Sequence, residues 1–332
     1  MDNKITKKRL SDFLSYEWIF MIIIAVVAIL GWELVYHVSS VQLTTGQVFK
    51  YYYDESVVSI SNSKLISELM ERNTFSYDVI RLNTEMIDSE NNVLADRLTI
   101  QEGDVMFTDI KGNGKTETVN GVERPVTVRA KAHVDTFSYS MYALDDMLED
   151  AKTYLKDNFI KDGQEISLDN IDDAKVERTF RSRMKKDNRF REEEQIQKGI
   201  LAEKARVEKL VENVVYFENF ISNPANESAL FRYRRFEQMY NLTSGANQEQ
   251  YKTLMETQEE KIYGINIGAL DEMGNGVDAT KIVQVRQPED VNDNLSKNVV
   301  LMVFDFKAYQ PHLQYESLSF VCSTIQMLLE TN

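Results

Sequence analysis

Residues 18–38 read WIFMIIIAVVAILGWELVYHV, and no charged side chain interrupts the fifteen positions from Trp18 to Trp32. At ~1.5 Å per helical residue, about 20 residues cross the ~30 Å hydrocarbon core of a bilayer. The run therefore predicts one N-terminal transmembrane helix in contact with lipid. Trp18 and Trp32 stand near its edges, where amphipathic rings gather. Lys4, Lys7, Lys8 and Arg9 precede the span, and the next basic residue is Lys50. Positive charge on the leading side keeps the N-terminus cytoplasmic and the C-terminal part extracellular. The expected division is a cytoplasmic tail (1–17), a single-pass membrane helix (18–38), a neck (39–56) and an extracellular domain (57–332). A cleaved signal peptide fits less well, because the apolar core is long for one and only Val38-Ser39-Ser40 offers a small-residue site.

The four basic and four acidic side chains of residues 1–40 cancel, so the formal charge of −15 falls on residues 41–332. So acidic a body is ill suited to nucleic acid or to anionic lipid surfaces. Its length suffices for one large core or two modest ones. With Cys322 as the only cysteine, no intramolecular disulfide can form, and an extracellular domain without disulfides points to a bacterial surface protein.

Along the chain, residues 57–60 read as a short strand, and 63–72 as a helix with Leu65, Ile66, Leu69 and Met70 on one face. Residues 75–82, FSYDVIRL, alternate as a strand does, and Asn83-Thr84-Glu85 follows as a loop. A helix over 92–101, a glycine stop at Gly103 and a strand over 104–110 complete a strand–helix–strand unit, the mark of a parallel α/β sheet. Asn120-Gly121 predicts a hairpin between strands 115–119 and 122–134. A helical insertion is expected over about 141–261. Its main helix, 196–221, carries apolar residues at heptad spacing, with Glu203 in the one slot that breaks the pattern. A second helix over 227–240 would make a helical hairpin, and a third is expected over 248–261. Strands over 281–285 and 298–306 follow, the latter, NVVLMVFDF, apolar enough to be buried on both faces. A closing helix runs from Pro311 to about Leu329.

Little of this carries reaction chemistry. His37, His133 and His312 are scattered without metal spacing. The loop after Asp109 fails as a calcium site, with Lys111 and Asn120 at ligand slots, as does Asp271 to Gly276, with Met273 at one. No metal, cofactor or catalytic residue is expected. Eight basic residues between Lys175 and Arg191, followed by Glu192, Glu193 and Glu194, read as a solvated, self-neutralising helix or as a docking surface.

Residues 75–110 carry a resemblance. Ala95-Asp96-Arg97-Leu98 followed by Glu102-Gly103-Asp104-Val105-Met106-Phe107-Thr108-Asp109 resembles the first lobe of the extracellular solute-binding proteins of bacterial ABC importers. There a helix ends in a Gly-Asp turn before a strand with an acidic tip. The strand over 299–304 with its following helix, and the segment 261–269, are similar to the family's hinge-packing and lobe-crossing elements. The resemblance implies a periplasmic-binding-protein-like α/β domain, a small solute such as a sugar, and ABC permease subunits as membrane partners. If a cleft exists, the strand ends nominate Asn83, Thr84, Glu85, Thr108 and Asp109 as ligand-binding. The expected function is a membrane-tethered solute-binding-like component that presents a solute or stabilises the permease complex. The alternatives are a bitopic surface scaffold without a small ligand and, third, a cell-wall enzyme with an unrecognised carboxylate site.

Overall fold

A computed structural model describes residues 7, 18–39, 47–54, 58–79, 81–87, 93–110, 116–119, 122–125, 128–137, 139–185, 187–285, 299–305 and 314–330. The chain divides into two units, Met1–Thr44 and Thr45–Asn332. In the first, Trp18–Ser39 forms helix α1. Among the described residues, however, no helix is long and apolar enough to cross a membrane. The expected fold class, with its single transmembrane helix ahead of the α/β domain, is corrected on this point.

The second unit is built on a seven-stranded mixed sheet. Strand β1 (Val48–Asp54) lies where a neck was expected. It pairs in parallel with β3 (Arg81–Ile87) on one side and β4 (Val105–Asp109) on the other. Helix α2 (Asn62–Glu71) lies between β1 and β3 in sequence, and α3 (Val93–Thr99) between β3 and β4. The expected strand–helix–strand order is thus present, one strand earlier than the sequence reading began it. Beyond β4 the sheet turns antiparallel through β11 (Val299–Phe304), β9 (Glu260–Asn266) and β8 (Leu230–Arg234), with β7 (Met141–Tyr142) on β11. Two small antiparallel pairs stand apart: β2 (Val58–Ile60) with β10 (Val283–Val285), and β5 (Thr116–Val119) with β6 (Val122–Pro125). The turn between β5 and β6 lies outside the described residues.

Both faces of the sheet are covered, and the strand pleat assigns residues to each. Tyr51, Val105, Phe107, Leu301 and Val303 face a large core. This core is shared with α2, with α5 (Leu144–Asn158), with α7 (Glu193–Ser222) and with α11 (Gln314–Leu329). Tyr52, Met106, Val300, Met302 and Phe304 face a smaller one under α3 and α4 (Arg129–Thr136). Each large apolar side chain so buried stabilises the fold by roughly 1.5–3 kcal/mol before entropy is counted.

Three further readings are corrected. The expected strand over 122–134 ends at Pro125, and α4 takes over. Its Ala130, His133 and Val134 are buried at helical spacing. The second arm of the helical hairpin is absent: residues 230–234 form β8, whose backbone pairs with β9. Only the short α8 (Glu237–Leu242) follows, then α9 (Ala246–Glu256), after which residues 260–266 return to the sheet as β9 and end in α10 (Ile267–Met273). Finally, Asn83, Thr84 and Glu85 form the middle of β3 and not a loop.

Candidate functional site

The residues nominated from the sequence do not converge. Asn83, Thr84 and Glu85 pair with Lys50, Tyr51 and Tyr52, while Tyr51 also pairs with Val105. Thr84 and Val105 therefore lie level. Thr108, three residues further along, is ~10 Å higher and two strands over. Glu85 is held by Arg97 at 2.5 Å, which also binds Glu102 at 2.9 Å. Thr108 and Asp109 are buried and pair with Val300 and Val299. At the C-terminal strand ends, where a parallel sheet presents its ligands, Asp54 is wholly buried and receives Arg129 at 2.7 Å. Beside them His133 is buried, and that burial pushes its pKa down to about 4.

The prominent cavity lies elsewhere, against the large core. It holds about 520 Å³ between residues 73–77, one side of α7 and the start of α11, and is half open to solvent. Asn73, with φ 49°, ends α2 in the left-handed region and turns the chain into this wall. Two long-range bonds fix the wall to α11: Ser319 Oγ donates to the Thr74 carbonyl at 2.5 Å, and the Ser76 N–H donates to Glu316 Oε2 at 3.1 Å. On α7, Arg206, Leu210 and Asn213 line the cavity. The helix is started by a reciprocal cap between Glu192 and Gln195.

Behind this wall lies a buried ion network. Glu203 is fully buried. Its Oε1 accepts from Arg206 Nη2 at 2.9 Å, and its Oε2 accepts from Arg206 Nε at 3.0 Å. The same Oε2 accepts from Arg183 Nη2 at 2.5 Å and from the Tyr77 hydroxyl at 2.8 Å. Arg183 also reaches Asp78 at 2.7 Å, and Arg189 binds Asp187 at 2.8 Å. Burial alone would raise the Glu203 pKa, but Arg206, Arg183 and the Tyr77 hydroxyl overcome it and hold the carboxyl at about 2. At Glu316 burial raises the pKa, and the Ser76 N–H and Arg206 offset it only in part. Four residues of the basic run 175–191 are thus tied into carboxylates: Arg181 to Glu177 and Glu193, Lys175 to Asp162, Arg183 and Arg189 as above.

Arg206 and Glu203 sit three apart on α7 and so share one face. The signal available in the sequence was Glu203 itself, the charged residue in an otherwise apolar heptad. Among the described residues, no group of three or more His, Cys, Asp and Glu side chains could hold a metal ion. The loop after Asp271 is a structural turn: Asp271 accepts from the Ala279 N–H at 2.7 Å, and Gly276 N–H donates to the Leu328 carbonyl at 3.1 Å. The other loop considered for calcium lies mostly outside the described residues. Cys322 is buried, with its thiol pKa pushed up by burial.

This is a mixed α/β protein with a half-open, partly charged cavity on one face of its sheet. No protein-family model, no curated protein and no solved structure matches the chain.

Proposed function

We propose that this chain is a non-catalytic binding protein for a small polar solute, which it holds in the cavity between residues 73–77, α7 and α11. The observation that carries the reading is the cavity itself. Its volume, about 520 Å³, lies within the ~300–1,000 Å³ typical of ligand sites. Its walls combine apolar surface (Phe75, Leu210, Tyr315) with a few buried polar groups (Arg206, Asn213, Glu316), the mixture that orients a ligand. Recognition is the chemistry these groups favour, because Glu203 is locked in ion pairs and offers no base. The parallel β3-β1-β4 unit agrees with the likeness to importer solute-binding proteins. The likeness extends the proposal to a permease partner, sought by co-purification. The competing scaffold reading leaned on a helical hairpin whose second arm is β8, and it loses that support.

The test uses Ala205→Trp. Ala205 is an exposed helical position on the cavity wall, so the indole blocks the cavity without disturbing the core. Calorimetric titration of the full-length protein with a panel of small sugars and organic acids should give a binder that Ala205→Trp abolishes. Binding that survives the substitution would place the ligand elsewhere and overturn the reading.

A further inference from the structure

A ligand in a partly buried site is selected by the buried polar groups that the protein leaves unsatisfied. In this wall the carboxylate of Glu203 is saturated: Tyr77, Arg183 and Arg206 together give it four hydrogen bonds. A cationic ligand would find no acceptor there. The donors are not saturated. A guanidinium presents two forks for a planar carboxylate, one through Nε and Nη2, the other through Nη1 and Nη2. Glu203 occupies the first fork of Arg206. Nη1, on the second, is buried and has no partner among the described residues. The flat face of the guanidinium is covered by Phe159, whose ring centroid lies 5.9 Å from the guanidinium carbon. Arg206 is only 6% exposed, and an unmet N–H on a buried cation is expensive. Thr74 Oγ, on the opposite wall, is likewise buried without a partner. Of the acidic side chains that also line the cavity, Glu208 and Glu212 are solvent-accessible, with Lys209 between them, and the buried Glu316 already accepts from the Ser76 N–H.

We infer that the solute is a small organic acid, with its carboxylate received on the Nη1–Nη2 fork of Arg206 and a hydroxyl or carbonyl of the same molecule meeting Thr74. This rests on the reading of the cavity as a binding site. It sets the chemical class of the ligand as a small monocarboxylate.

The experiment compares matched probes on the full-length protein by calorimetry: gluconate against glucitol, benzoate against benzamide, and inorganic phosphate. One acid should bind at least about tenfold more tightly than its neutral partner, the advantage expected of a charge-assisted fork. Arg206→Lys keeps a charge for Glu203 but lacks the second fork, and should remove most of that advantage. In the unmutated protein, saturation with the acid should shift the Nη resonances of Arg206, a readout that needs no variant to fold. Neutral probes that bind as well as the acids and are blocked by Ala205→Trp would overturn the acid class while sparing the binding site. Phosphate binding without acid binding would also overturn the class. If no probe binds in a way that Ala205→Trp blocks, the site and the class fall together.

Discussion

Glu203 is the residue whose loss should be felt most sharply. Its carboxylate neutralises the buried Arg206 and shares Arg183 with Asp78, so truncation strands the Arg206 guanidinium and takes one of the two carboxylates of Arg183. Breaking a buried pair on one side costs about 3–5 kcal/mol. Glu203→Ala should lower the urea midpoint accordingly, and the double change of Glu203 and Arg206 to Met should recover much of the loss, since it leaves fewer stranded charges. Equal destabilisation by the single and double changes would show that packing, not charge pairing, is what Glu203 provides. His133 makes a separate test in pH. Burial holds its pKa at about 4, against 6.5 when unfolded. The unfolded chain therefore takes up the proton first as pH falls, and stability is lost between about pH 6.5 and 4, by on the order of 3 kcal/mol at most. Asp104 runs the other way: burial raises its pKa to about 7, so its contribution is present at low pH and fades as pH rises from about 4 to 7. The His133 effect is isolated by difference. His133→Leu should flatten the stability curve between pH 6.5 and 4 relative to wild type, and a parallel pair of curves would contradict the assignment.

At the scale of elements, the join between α6 (Asp173–Met184) and α7 depends on one missing methyl group. A Cβ on Gly199 would stand 2.2 Å from Phe180 Cζ and 2.8 Å from Phe190 Cε1. Alanine is favoured over glycine in a helix by about 1 kcal/mol, yet overpacking a filled core costs about 1–3 kcal/mol. Phe180 is fully buried and cannot swing to solvent, so Gly199→Ala should destabilise, and Phe180→Leu in the same chain should relieve it. A stabilised Gly199→Ala would mean that the two helices separate freely. The helix itself was legible: the apolar heptad over 196–221 predicts most of Glu193–Ser222, because one face meets a core and the other meets water. The strands were less so, for reasons of position. Strand β1 places Tyr51 and Tyr52 in cores on opposite sides of the sheet, and a strand buried on both faces loses its alternation. Strand β3, RLNTEMI, is a polar edge strand whose burial is mostly partial, formed by pairing with β1 against its own weak propensity. The alternation of FSYDVIRL is real but serves a turn: Phe75 and Tyr77 pack on Phe320 and Phe180. The cavity was not legible at all, since its walls come from segments more than a hundred residues apart and only Glu203 marked the place.

At the scale of the second unit, the chain closes on itself. Its first strand supplies Phe49 and its last helix supplies Phe320, and these rings stack with centroids 5.2 Å apart. Phe320 also meets Phe75 at 6.3 Å and Phe107 at 6.2 Å, so one side chain joins β1, β4, α11 and the turn that walls the cavity. The central antiparallel strand, β11, and the helix packed beside it both come from the last part of the chain. Folding must therefore bring distant segments together before the core exists, a late and cooperative event for contacts of such sequence separation. Phe320→Ala opens a void at this junction and should cost about 3–5 kcal/mol, the range for truncating a fully buried aromatic. Because residues 73–77 rest on the same ring, the loss should reach the cavity: the affinity of any cavity-bound solute should fall even well below the denaturation midpoint. Urea titration and calorimetry on one preparation separate the two effects. A large stability loss with unchanged affinity would show that the wall at 73–77 is held by its bonds to Ser319 and Glu316 alone. A small loss would mean that the unit tolerates a hole where its two ends meet, and that the junction is not what makes it fold as one.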